Sequence, residues 1–386
     1  MQQTSSTITI RALTKRFDGP DVTANAVDDI SFDIADGTLV TLLGASGCGK
    51  TTTMRMIAGL ETPTSGEISI DGAFMYADGG RVNVPVSKRP IGIVFQSYAI
   101  WPHMSVFENV AYPLRVRRPR MSKAEVRERT EESLEAVGLA KFSKRPGTAL
   151  SGGQQQRAAL ARALIKEPKV LLLDEPLSNL DAKLRDRMRE WIREVQQRSG
   201  ITTICVTHDQ EEALGISDRV LLMEDGRIVD SGVPEDIYRR PTSKSAAQFI
   251  GIANHVSAVV RDVGSVSALV LDTEHGPLSC SAPAGYSTGE ALTVYLRPED
   301  LRLGRAVGDD VAWRGVVRSR VFVGPCWEYY VTMGATDLRV RLYGDAETFE
   351  VGDAVHVWPD GSKAIVVRDE EGASIETLAP VAALDD

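Results

Sequence analysis

The run Gly44-Ala45-Ser46-Gly47-Cys48-Gly49-Lys50-Thr51-Thr52 has the residue types and spacing of a phosphate-binding loop. Its glycines let consecutive backbone N–H groups turn onto phosphate oxygens without side chains in the way. Lys50 would reach the β- and γ-phosphates of a nucleotide, and Thr51 would offer its hydroxyl to Mg²⁺. Further along, Asp174 ends the apolar run Val170 to Leu173. That is the place for a carboxylate that orients the metal and its water. Glu175 follows directly. Two adjacent acids are common where a strand opens into a solvated loop, so the pair gains meaning only behind the glycine loop and ahead of Ser178-Asn179-Leu180-Asp181.

Groups of this kind need a rigid mount, and the front of the chain supplies strands and helices in alternation. Thr7 to Ala12 and Ile30 to Ile34 read as strands, and Leu39 to Leu43 is an apolar strand that enters the glycine loop. A helix is expected from about Lys50 to Ala58, with further strands at Ile91 to Phe95, Val170 to Leu173, Thr202 to Thr207 and Arg219 to Met223. Such alternation predicts a mostly parallel sheet covered by helices. A charged, helical stretch at about 97–168 interrupts it. There Ser122-Lys123-Ala124-Glu125 has the form of a capped helix start, and Leu134, Val137 and Leu139 form one apolar stripe. Pro234 to Gly251 reads as a helix, a break at Pro241 and a second short helix. Beyond it come short strands separated by Gly, Pro and Asp: Val266 to Leu271, Leu292 to Arg297, Trp313 to Val323, Trp327 to Met333 and Leu338 to Leu342. Their spacing predicts a small antiparallel barrel. Strand groups on both sides of Gly304 to Asp310 raise the expectation of two related barrels.

Charge divides along the same line. From residue 251 onward there are 11 Lys and Arg against 21 Asp and Glu, and the net charge of the whole chain is −9. A near-neutral front and an acidic rear argue against nucleic acid as a partner, because backbone binding needs clustered positive charge. The polar start Met1 to Thr7 lacks the basic flank and apolar core of a secretory signal. No apolar run approaches the ~18 residues that would span a bilayer. Cys48, Cys205, Cys280 and Cys326 show no metal-ligand spacing, and a disulfide at Cys48 would obstruct phosphate binding, so a reducing cytoplasm is expected.

Leu150-Ser151-Gly152-Gly153-Gln154 resembles the signature of the ATP-binding-cassette (ABC) ATPases. With Val206-Thr207-His208-Asp209 and Ser97-Tyr98-Ala99-Ile100-Trp101-Pro102-His103-Met104, the chain looks like the ATPase subunit of a bacterial ABC importer. The resemblance implies an α/β P-loop NTPase (ABC ATPase) core with a helical subdomain, followed by an all-β OB-like (TOBE) domain. The boundaries expected are 1–248 for the nucleotide-binding domain, with its helical subdomain at about 97–168, and 249–386 for a regulatory barrel. Glu175 is then expected to polarise the attacking water, assisted by Lys50 and by His208 as the switch histidine at the γ-phosphate. ATP would be held by Phe17 stacked on adenine, by Gly44, Ser46, Gly47, Cys48, Gly49, Lys50, Thr51 and Thr52, by Gln96 and by Asp181. Ser151, Gly152, Gly153 and Gln154 would serve the nucleotide of the opposite protomer. Thr51, Gln96 and Asp174 would face Mg²⁺.

One chain carries one glycine loop and one signature, so the resemblance implies a dimer, expected to be of two identical chains, on a transmembrane permease. A separate substrate-binding protein would act indirectly, and the subunit would lie peripherally at the cytoplasmic face of the inner membrane. Leu296-Arg297-Pro298-Glu299-Asp300-Leu301 resembles the barrel domain of maltose-, polyamine- and ferric-iron-type importer ATPases. Arg297 reads as a barrel-rim residue, with ligand contact as the alternative. Phe249-Ile250-Gly251-Ile252-Ala253-Asn254 and Ile100-Trp101-Pro102 lean the cargo toward ferric iron, polyamine or phosphonate. A sugar-importer ATPase is the alternative. A soluble ABC ATPase outside transport, a regulatory subunit without turnover and an exporter ATPase are further ones.

Overall fold

Val170 to Leu173 is apolar at every position because both faces of its strand are covered. Val170 and Leu172 point into one core, and Leu171 and Leu173 into another. In the computed structural model, which describes residues 6–17, 25–264, 268–281, 285–305, 312–344 and 347–368, this strand belongs to a six-stranded sheet. The strand order is Arg227–Gly232, Arg219–Glu224, Leu39–Leu43, Thr202–Thr207, Val170–Asp174 and Ile91–Val94. All neighbours are parallel except the first pair.

On one side, the helix Lys50–Ala58 and a five-stranded antiparallel sheet close over it. That sheet runs Val27–Ala35, Ser6–Lys15, Ser65–Ile70, Ala73–Ala77 and Val82–Asn83. On the other side lie the helices Gly152–Leu164 and Ala182–Ser199, through Ala159, Leu160, Met188 and Ile192. The stretch 97–168 carries the helices Val106–Arg115, Lys123–Ala136 and Gly152–Leu164 around their own core. Serines start all three. Ser105 and Ser151 form capping boxes with Glu108 and Gln154, and Ser122 accepts from the Glu125 N–H.

Packing divides the chain into two compact units, 1–237 and 238–386. In the second, the helix Lys244–Phe249 precedes two five-stranded antiparallel sheets. One runs Gly276–Ser281, Ala268–Thr273, Asn254–Val263, Ala291–Leu296 and Ile365–Arg368. The other runs Leu301–Gly304, Ala354–Pro359, Trp313–Phe322, Cys326–Met333 and Thr336–Tyr343. The two sheets share a single core that includes Val256, Leu271, Val294, Trp313, Tyr329 and Val357. The unit is therefore one barrel-like body and not two barrels in series. Two strands trade sides: Leu301–Gly304 joins the later sheet and Ile365–Arg368 the earlier one. Residues 306–311, between the expected repeats, lie outside the described residues.

Arg297 is 2% exposed. Its guanidinium stacks over Tyr238 at 4.5 Å and donates to the carbonyls of Tyr238 at 3.0 Å and Ile252 at 3.4 Å. That is a structural role, not ligand contact.

A candidate nucleotide-hydrolysis site

Gly49 caps the helix Lys50–Ala58 with φ +103°, and a Cβ there would lie 2.4 Å from the Ala26 carbonyl oxygen. Only glycine fits both demands. The loop before it presents Ala45, Ser46 and Gly47 to solvent, while Cys48, Gly49 and Lys50 turn inward. Lys50 is 5% exposed, and its ammonium donates to the Gly44 and Ala45 carbonyls at 2.7 Å each, 3.6 Å from the Cys48 sulfur. The cation is folded back onto the loop's own carbonyls, beneath the exposed residues Ala45 to Gly47; a glycine loop of this kind ahead of a helix is the arrangement that binds phosphate.

Behind the loop, the Thr51 hydroxyl lies 3.5 Å from Asp174 Oδ1. Burial pushes the Asp174 carboxyl above its usual range, and neighbouring Glu175 adds to the rise; Arg55 and the Thr51 hydroxyl oppose it. A buried carboxylate beside a hydroxyl, costly to ionise on its own, is the donor set a hard, oxygen-seeking divalent cation takes. The residues present therefore fit Mg²⁺.

Glu175 adopts φ +42°, a left-handed conformation unusual for a non-glycine residue. Its N–H donates to the Val206 carbonyl at 2.8 Å, and the Ser178 hydroxyl donates to its carbonyl at 3.0 Å. This turn swings the carboxylate away from the strand axis and between two partners. The Gln96 amide donates to Oε2 at 2.9 Å, and His208 Nδ1 lies 3.0 Å from Oε1. The three residues come from the ends of three neighbouring parallel strands, at the edge where crossover loops leave the sheet. A cleft of about 180 Å³ opens there, lined by Gln96, Glu175, Ser178, Asn179, His208 and Asp209 among others.

The residues flanking His208 are tied into a closed circuit of hydrogen bonds. The Thr207 hydroxyl donates to Glu212 Oε2 at 2.6 Å and accepts from the Asp209 N–H at 3.0 Å. Asp209 Oδ1 accepts from the Glu212 N–H at 3.0 Å.

The remaining expected residues sit apart from this cluster. Asp181 caps the helix Ala182–Ser199 by accepting from the Leu184 N–H at 2.9 Å. The signature helix packs directly on that turn: a Cβ at Gly152 would meet Leu180 at 3.2 Å, and one at Gly153 would meet Leu184 at 3.2 Å. Gln154 closes the cap on Ser151 at 3.0 Å. Phe17 is 42% exposed with the Lys15 ammonium 4.8 Å above its ring; residues 18–24, next in the chain, lie outside the described residues. Thr52 is half-buried on the first turn of the helix after the loop.

Asn109 and Arg162 carry no sequence signal for a role here, and Thr207 and Glu212 are marked only as neighbours of His208. Glu212 is the carboxylate three residues beyond the helix-capping Asp209.

A family model described as ABC transporter matches residues 27–178, and one described as TOBE domain matches residues 294–367. An Fe(3+) ions import ATP-binding protein of Rhizobium etli is 48% identical over 308 residues, 79% of this chain and 83% of the relative. A spermidine/putrescine import ATP-binding protein of Rubrobacter xylanophilus is 42% identical over 370 residues, 95% of this chain and 94% of the relative. Among solved structures, a dimeric ATP-binding cassette in a post-hydrolysis state, bound to ADP and Pi, superposes with TM-score 0.52 at 30% identity. It covers 59% of this chain and 98% of its own.

Proposed function

Because this chain belongs to the ATP-binding subunits of ABC importers, we propose that it hydrolyses ATP at the site above to drive import through a membrane permease. One observation carries the assignment of residues: Glu175 is bent out of its strand and clamped between Gln96 and His208, next to Asp174 and Thr51. That placement supports the roles proposed for Glu175, Gln96, His208, Asp174 and Thr51; the other roles are carried over from the family resemblance.

Backbone amides from Ala45 to Gly49 and the Lys50 ammonium bind the phosphates, and Thr51 and Thr52 continue the cradle on the first helical turn. Phe17 would stack on adenine. Thr51 and Asp174 would hold Mg²⁺, with Gln96 facing it; the ion, when bound, neutralises charge on the β- and γ-phosphates. Glu175 orients the attacking water and accepts its proton. His208 holds the carboxylate and, as in the family, would contact the γ-phosphate. Ser151 to Gln154 head a helix whose N-terminus attracts anions. They complete the site of a partner protomer, so two identical chains enclose two nucleotides. Catalysis is then mainly positioning and electrostatics.

The ATPase domain is assigned to 1–248, with a helical subdomain at 97–168, and the regulatory barrel to 249–386. Among the described residues, no helix is long and apolar enough to cross a membrane. We assign the subunit to the cytoplasmic face of the inner membrane, docked on permease subunits that a binding protein loads with cargo. Ferric iron is the first cargo proposed, after relatives of 48% identity. A polyamine is the second, because the match to spermidine/putrescine relatives extends over 95% of this chain.

The test is Glu175→Gln. The variant should bind ATP, lose turnover by roughly 10²-fold or more, and accumulate as an ATP-dependent dimer of doubled mass. Turnover at the wild-type rate would remove Glu175 from the catalytic role.

A further inference from the structure

Two consecutive non-glycine residues, Tyr98 and Ala99, hold φ of +59° and +46°, just beyond Gln96. Left-handed conformations of this kind persist only where surrounding contacts enforce them. The enforcing group is Arg162, eleven residues into the helix that Ser151 caps. Its guanidinium forks onto both strained carbonyls, donating to Tyr98 and to Ala99 at 2.6 Å each. The Trp101 ring covers the guanidinium at 4.7 Å and packs on Tyr112 at 4.7 Å. Fully buried Asn109 ties down the rest of the segment, accepting from the Trp101 N–H at 2.8 Å and donating to the Met104 carbonyl at 3.3 Å. At the other end, Gln96 is tied to the catalytic cluster: its amide reaches Glu175, and its carbonyl accepts from Asn179 at 2.9 Å.

We propose that Arg162 is a positioning residue through which the signature helix sets Gln96 against Glu175. This rests on the ATPase reading above and adds to it a physical link between the two halves of the hydrolysis machinery. The helix that would contact the partner's nucleotide and the amide that aligns the catalytic carboxylate are joined by one guanidinium and a strained two-residue turn. A shift of the helix along its axis moves both carbonyls together, because the planar fork binds them in fixed geometry. Gln96, two residues away, follows. The same turn begins the segment to Met104 that carries Trp101, so anything that docks on that segment acts on the same lever.

A double-mutant cycle in ATPase assays tests the link, using the full chain with Arg162→Ala, Gln96→Ala and both together. Acting through Gln96, Arg162→Ala should lower kcat by roughly tenfold while the KM for ATP stays within about twofold, because the glycine loop is untouched. The double variant should be no slower than the slower single variant. Arg162→Lys should fall between wild type and Arg162→Ala, since one ammonium cannot span two carbonyls in the planar fork geometry. Kcat losses that multiply in the double variant would overturn the proposal, as would a raised KM with kcat unchanged. Should Arg162→Ala not fold, the same cycle run with Arg162→Lys decides by the same criteria. A wild-type chain that turns over no ATP would overturn the function itself. A working wild type with multiplying losses overturns this link alone.

Discussion

Replacing Glu212 by glutamine should make the protein more stable at alkaline pH and have a much smaller effect in mild acid. Glu212 is 2% exposed, and burial pushes its carboxyl from 4.5 up to about 7. The Thr207 hydroxyl, Arg189 and Cys205 work against the rise, and Asp209 adds to it. Arg189 is shared, lying 3.4 Å from Asp186 and 3.5 Å from Glu211, so it neutralises Glu212 only in part.

As pH increases, the unfolded chain gives up this proton near 4.5, while the folded chain keeps it until about 7. The folded state binds more protons between those values, so stability falls across that window and levels off above it. A gap of two to three units at about 1.4 kcal/mol per unit corresponds to roughly 3 kcal/mol. Glu212→Gln keeps the shape and the acceptor for Thr207 but cannot ionise. Urea unfolding of both chains at pH 5 and pH 8 measures the effect. The variant should gain roughly 3 kcal/mol relative to wild type at pH 8 and only about 1 kcal/mol at pH 5, just above the unfolded value. A difference that is the same at both pH values would refute the reasoning, showing that Glu212 is charged in the folded protein throughout.

Lys50→Ala should weaken ATP binding by roughly a hundredfold, since hydrogen bonds to charged groups contribute about 1.5–3 kcal/mol; unchanged affinity in a nucleotide titration would contradict the placement of the ammonium on the phosphates. Cys48 is buried beneath the loop and 3.6 Å from the Lys50 nitrogen. Bound ATP should therefore slow its alkylation, and equal labelling with and without ATP would count against that geometry. Arg297→Met should destabilise the second unit by roughly 3 kcal/mol, because it leaves buried carbonyls without their donor and removes the stack on Tyr238. Thermal unfolding is the readout, and a shift below about 2 °C would show that the carbonyls find other partners.

Much of the catalytic framework was legible from local chemistry alone. The limits Leu39–Leu43, Lys50–Ala58 and Thr202–Thr207 follow from short-range causes: apolar runs buried on both faces, and a glycine forced to positive φ at a helix start. Ser122 and its Glu125 partner marked the start of the helix Lys123–Ala136 for the same reason. The phosphate loop, the signature and the strand-ending acids are contiguous, so their residue types disclose them. Pairing between distant segments left no such trace. The antiparallel strands Ser65–Ile70 and Ala73–Ala77 lack a strong alternating pattern and acquire their identity by pairing with Ser6–Lys15 and with each other. The exchange of Leu301–Gly304 and Ile365–Arg368 between the two sheets turned two expected barrels into one body with one core.

Within the site, local residue types fix which groups are present, while long-range packing fixes how they are held. Nothing local marks Arg162, in a run of alanines and leucines, as the clamp on a turn 64 residues earlier in the chain. Nor does anything near Glu175 announce that it leaves its strand at positive φ to meet Gln96 and His208. A side chain's type is encoded where it stands, but the strain it bears and the partner it meets are set by how remote segments pack.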